Sequence, residues 1–143
     1  MSGTLYNIDV LRMAAKVAEF PLLADAALRE ERRSPTCGSR MTVTLDVTPD
    51  GRIAAVGLDA KACALGQAAA AIFAQSAVGR SPAEIADMND KWRAYLAGER
   101  DELPDWPEIG LLAAGRDYPA RHPSMRLAFE AAHAALARAV VNG

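Results

Sequence analysis

The order of apolar and polar residues predicts a helix, an antiparallel hairpin and then a run of helices. From Leu5 to Ala27 apolar residues recur at helical spacing, and Leu5, Ile8, Leu11, Met13, Ala15 and Val17 can bury one broad face. Pro21 should break or redirect that helix, since proline lacks the amide hydrogen and its ring crowds the preceding turn. The stretch Arg29–Pro35 is charged, ends in a breaker and reads as a solvated linker. Arg40–Val47 then alternates. Met41, Val43, Leu45 and Val47 point one way and Thr42, Thr44 and Asp46 the other, which is the signature of a half-buried strand. Thr48, Pro49, Asp50 and Gly51 form a turn in which proline presets φ and glycine takes the left-handed position. Arg52–Asp59 returns as the second strand of a hairpin.

From Cys63 to Val78 the chain is rich in alanine and nearly uncharged, so this helix should be buried on several sides, with Gly79 closing it. Ser81, Pro82 and Glu84 make a capping box with proline at the first helical position, opening a short helix to about Met88. Asn89 can cap another helix reaching Leu96, with Gly98 beyond its end. Asp105 is a cap for a short helix ending near Gly115, and Pro119 and Pro123 bracket a turn. The last helix carries Met125, Phe129, Ala132, Leu136 and Val140 on one stripe. The fold class is therefore α+β: a small antiparallel sheet with a hairpin core, packed against several helices, with an N-terminal helix and a long C-terminal one.

At 143 residues the chain suits a single domain spanning 1–143. A net charge of −2 with both signs interspersed gives no basic surface for nucleic acid or an anionic membrane. No apolar run is long enough to span a bilayer and the start does not read as a signal peptide, so the cytoplasm is the expected location. Gly-rich phosphate loops, His-Glu-x-x-His and nucleophile elbows are absent, and nothing points to enzyme chemistry on a small organic substrate.

The chemistry left to weigh lies in two cysteines, Cys37 and Cys63. In a reducing compartment these are free thiols or metal ligands rather than a disulfide. Cys63 is either a small buried hydrophobe or a thiolate favoured by a helix N-terminus. Cys37 sits in a tight loop, Pro35-Thr36-Cys37-Gly38-Ser39, that delivers the chain into a strand. The two cysteines thus flank one hairpin and can meet.

These segments resemble the U-type iron–sulfur cluster assembly proteins, in particular their SufU branch. The family carries a Pro-x-Cys-Gly-Asp loop before a strand, and Pro35–Ser39 is similar to it. A second cysteine follows the hairpin and opens a helix of small residues, as Lys61-Ala62-Cys63-Ala64-Leu65-Gly66 does here. The branch closes on Pro-x-Arg-x-x-Cys-x-x-Leu-x-Trp, and Pro119, Arg121, Ser124, Leu127 and Phe129 fall in that spacing. The stretch 96–118 resembles the SufU-type insertion, and Leu5 and Tyr6 resemble the start of the family's first helix.

The resemblance implies an iron–sulfur cluster assembly protein, not an enzyme, that docks on a cysteine desulfurase and receives sulfur as a persulfide. It also implies a site of three thiolates and one carboxylate that holds zinc or a cluster. Here the carboxylate position is Ser39 and the third thiolate position is Ser124. A neutral hydroxyl is a poor ligand for zinc or iron. That leaves Cys37 and Cys63, with His122 as a substitute ligand or else an exposed turn histidine, and Arg121 as a cation near a persulfide or else a surface arginine. His133 is assigned to helix surface or packing. Trp92, Tyr95 and Trp106 are expected to pack the insertion against the sheet. A homodimer can assemble four thiolates from two chains. The alternative reading is a metal-free module that binds and regulates a cysteine desulfurase or another assembly factor.

Overall fold

The computed structural model describes residues 7–35 and 38–142. Helix α1 (Ile8–Ala15) starts from an Asn7 cap whose side chain accepts from the Val10 amide, and it tightens into a 3₁₀ turn at Lys16–Glu19. Three antiparallel strands follow, β1 (Leu28–Arg33), β2 (Arg40–Val47) and β3 (Ile53–Lys61), in the order β1-β2-β3. Helices α2 (Ala64–Gln75) and α3 (Pro82–Leu96) come next. A run of 3₁₀ turns over Ile109–Asp117 and another at Pro119–Arg121 lead into α4 (His122–Asn142). None of the helices among the described residues is long and apolar enough to cross a membrane.

The expected hairpin is present. Leu45 faces Val56 and Arg40 faces Lys61, with a register shift at Asp46/Val47 beside the turn. Gly51 holds φ of +87°, the value that the turn requires of it. The strand β2 departs from half-burial, because Thr42 and Thr44 are buried as well as Met41, Val43 and Leu45. The segment after α1 covers part of the polar face. Leu58 donates its amide to the Phe20 carbonyl at 2.7 Å, and Thr44 Oγ1 accepts from the Leu23 amide at 3.1 Å. Gly57 permits this crossing, since a Cβ there would lie 2.7 Å from Thr44 Oγ1 and 2.8 Å from Leu22 Cα.

Several expectations are corrected. Arg29–Pro35 is not a solvated linker, because most of it forms the edge strand β1, paired from Leu28↔Leu45 to Arg33↔Arg40. Charged residues are tolerated there, and edge strands commonly carry them as protection against further pairing. Helix α1 buries Val10, Met13 and Ala14, while Ile8 and Leu11 are exposed, and Leu5 lies outside the described residues. Asn89 caps nothing, since α3 runs unbroken from the Ser81/Glu84 capping box to Leu96. Gly79 does not end α2; Ser76 does, and Gly79 instead donates its amide to Ile53 at 2.8 Å. The 3₁₀ run starts from Glu108 with φ of +69°, rather than from an Asp105 cap.

Helix α2 is the centre of the core. Ala68–Ala71, Ile72 and Phe73 are almost wholly buried, and their small side chains let α1 and α4 approach it closely. Phe73, Trp106 and Phe129 pack as a ring cluster, with Phe129 edge-on to both partners at 5.4 Å between centroids. The aromatics of α3 and the following segment are therefore buried as expected, but against α2 and α4 rather than the sheet. Met125, Phe129, Ala132 and Leu136 bury the predicted stripe of α4, and the Val140 side chain lies outside the described residues.

Replacing Gly57 with alanine forces the covering segment off β3 and should cost about 1–3 kcal/mol. Urea unfolding reads this as a lower midpoint at unchanged slope. An unchanged midpoint would contradict the close crossing.

Candidate thiol site

Cys63 is the N-cap residue of α2, placed there because β3 ends at Lys61 and the small-residue helix begins at Ala64. Its thiol is free and half-buried. The first turn of α4 meets it from the other side, so that Ser124 Oγ lies 3.4 Å from Cys63 Sγ. Ser124 is only 1% exposed. Two features bring these helix starts together. Gly66 has no side chain, and a Cβ there would overlap Ser124 Oγ and come within 2.7 Å of Ala62 Cβ. Trp92 of α3 donates its indole hydrogen to the Met125 carbonyl at 3.0 Å and fixes the first turn of α4.

Burial raises the Cys63 thiol pKa, but the opposing effects win and hold it below the usual thiol range. The Ser124 hydroxyl donates to the sulfur in its thiolate form, the amides of Gly66 and Leu65 point at it from the first turn of α2, and the Arg121 guanidinium adds positive charge. This is the arrangement of a reactive cysteine: a helix N-terminus, a hydroxyl donor and a nearby cation around a partly accessible sulfur.

The other candidates are distributed as follows. Cys37 lies outside the described residues. Ser39 is buried just before β2, its carbonyl accepting from the Ser34 amide at 2.8 Å. Because Arg40 pairs with Lys61, Ser39 and Cys63 flank the same end of the β2–β3 pair. Arg121 stands near Cys63 and contributes to its electrostatics. His122 goes elsewhere. Its Nε2 faces the carbonyls of Gly115 at 3.1 Å and Arg116 at 2.9 Å, so it clips the 3₁₀ run to the start of α4. Among the described residues no group of three or more His, Cys, Asp or Glu side chains is placed to hold a metal ion. His133 lies midway along α4, partly buried, in keeping with its assignment to packing or surface.

Sequence reasoning gave no role to Gly66 and assigned Trp92 to packing without its partner. The signal for Gly66 was a glycine three residues after a cysteine inside an otherwise alanine-rich helix, where glycine weakens the helix and calls for a packing reason. Trp92 gave no sign of its partner, since a backbone carbonyl 33 residues away leaves no mark in the sequence. Arg116 is a further clip, donating to the carbonyls of Tyr95 and Arg100 at 2.8 Å each and stacking on the Tyr95 ring.

No protein-family model matches the chain. The fold is shared with U-type iron–sulfur scaffold proteins. The IscU iron–sulfur cluster assembly scaffold protein of Thermotoga maritima is 26% identical over 114 residues, covering 80% of each chain. The N-terminal NifU-like protein of Brucella abortus, described as nitrogen-fixing, superposes with a TM-score of 0.89 at 28% identity, covering 97% of this chain and 96% of that one. A SufU assembly scaffold for the SUF system from Fervidobacterium islandicum AW-1 gives 0.81 at 20% identity, over 95% of this chain and 99% of that one, and at that identity shows the fold. The chain is thus similar to IscU and NifU-like scaffold proteins in sequence and fold, and to a SufU scaffold in fold.

Two predictions follow from the geometry. In a Cys37→Ser background, Ser124→Ala removes the hydroxyl donor, so the Cys63 pKa rises. The pH profile of its alkylation by iodoacetamide then shifts to higher pH; an unmoved profile would show that Ser124 does not act on the sulfur. His122→Ala should lower stability by about 1–3 kcal/mol, as loss of a partly buried hydrogen-bonding clip does, and leave the Cys63 profile where it was. A shifted profile would place His122 at the thiol after all.

Proposed function

We propose that this chain is an iron–sulfur cluster assembly protein that receives sulfur on Cys63. The observation that carries the reading is Cys63 at the N-cap of α2 with its thiol pKa held down by Ser124, the helix amides and Arg121. The relatives named as IscU and NifU-like proteins support the same function. The sulfur donor is the persulfide of a cysteine desulfurase. The Cys63 thiolate attacks the outer sulfur of that persulfide, and a new S–S bond forms on Cys63. The donor's own S–S bond breaks, its electron pair leaving on the donor cysteine as thiolate. No external oxidant or reductant is needed. Ser124 and the α2 amides lower the pKa of the attacking thiol, and Arg121 offsets negative charge as the anionic persulfide arrives.

The cluster is cargo in this scheme. An iron–sulfur cluster is held by four thiolates, and this chain has two cysteines. Ser124 supplies a hydrogen bond where a thiolate ligand would be needed, so one chain is short of ligands. Cys37 and Cys63 from each of two chains complete the set, which makes the loaded form a homodimer. Zinc bound to one chain is disfavoured for the same reason.

The test is anaerobic loading with a cysteine desulfurase, cysteine, ferrous iron and dithiothreitol as the reductant that takes persulfide sulfur to sulfide, followed by native mass spectrometry. Wild type should carry a cluster on the dimer, and Cys63→Ser should carry none. A wild type that takes up neither sulfur nor cluster, yet changes desulfurase turnover, would overturn this reading in favour of a metal-free regulatory module.

A further inference from the structure

A cavity of about 480 Å3 lies where the end of β1 meets α3 and α4. It falls within the size range of small-molecule sites. Its walls carry Arg32 and Arg33 from β1, Asn89 from α3, and Arg126, Glu130 and His133 from α4. Three arginines thus face one glutamate. Glu130 takes Arg126 Nη2 at 2.9 Å, and Arg32 and Arg33 lean on Glu30 and Glu31 along the strand. Two atoms are left over. Arg126 Nε and Asn89 Oδ1 are buried and have no hydrogen-bond partner. A buried donor and a buried acceptor are both costly when unmatched.

We propose that this cavity binds a compact hydroxy-polycarboxylate anion. Arginines on two separate walls call for two carboxylates held apart, each matched to the planar fork of a guanidinium. Arg126 Nε donates to one of them. Asn89 Oδ1 accepts from the hydroxyl, which a simple inorganic anion without a donor cannot supply. Pro35 and Pro123 border the same cavity, and in the sequence they stand just before Cys37 and Ser124. The bound anion therefore sits beside the segment that leads into Ser124 and its contact with Cys63. The proposal does not rest on the cluster-assembly reading, and Cys63→Ser should bind the anion as wild type does.

Citrate is the probe, measured by isothermal titration calorimetry at fixed ionic strength. Wild type should show one saturable site. Arg126→Gln should weaken binding about tenfold or more, as loss of a charge-assisted hydrogen bond does. Arg33 is largely exposed, so Arg33→Gln should fold normally and weaken binding severalfold. Arg52→Gln removes an arginine that pairs with Asp50 and Glu84 instead, and should leave binding unchanged. No saturable citrate binding, an equal loss in Arg52→Gln, or inorganic phosphate binding as tightly as citrate would each overturn the proposal.

Discussion

The meeting of two helix N-termini governs this molecule. Helix α2 begins at Cys63, α4 begins two residues before Ser124, and the two starts touch through a sulfur and a hydroxyl 3.4 Å apart. Like ends of helix dipoles repel, so their proximity favours an anion between them. The Cys63 sulfur lies between them, and its thiol pKa is lowered accordingly. The alanine-rich body of α2, the missing side chain at Gly66 and the Trp92 hydrogen bond to α4 all serve the same approach. Stability and chemistry are thus coupled: what packs α4 against α2 also places the hydroxyl on the thiol.

The same contact sets the electrostatics of the Cys63 thiol. A third thiolate at 124 would bring a second negative charge that a metal must neutralise. A hydroxyl brings a donor and no charge. The local electrostatics therefore favour the thiolate form of Cys63 more than at an ordinary cysteine, and Arg121 adds to that preference. The His122 Nε2 faces the carbonyls that end the 3₁₀ run. Clips of this kind, with Trp106 donating to the Ile72 carbonyl at 2.9 Å and Arg116 bridging to Tyr95, give the long connection before α4 a fixed path without regular structure.

Much of the fold was legible in the sequence. The alternation of Met41, Val43, Leu45 and Val47, the Pro49–Gly51 turn and the Ser81/Glu84 box each encode their structure locally, and each appears where expected. What failed depended on distant partners. The charged stretch around Arg32 gave no strand signal, because β1 is set by pairing with β2 and by Arg138 of α4 holding Glu30. Thr42 and Thr44 looked solvent-facing until the segment beyond Phe20 was seen to cross the sheet. Of the site, the positions of Cys63 and Ser124 were visible from the spacing that resembles the family pattern. The direction of the His122 ring was not, since neither carbonyl it meets is marked in the sequence.

The most direct measurement is peptide mass mapping after transfer from a desulfurase charged with isotopically labelled cysteine, under non-reducing conditions. The account predicts one labelled sulfur atom on the Cys63 peptide of wild type, reduced in Ser124→Ala and absent in Cys63→Ser. Labelled sulfur confined to the Cys37 peptide, with Cys63 unmodified, would contradict it.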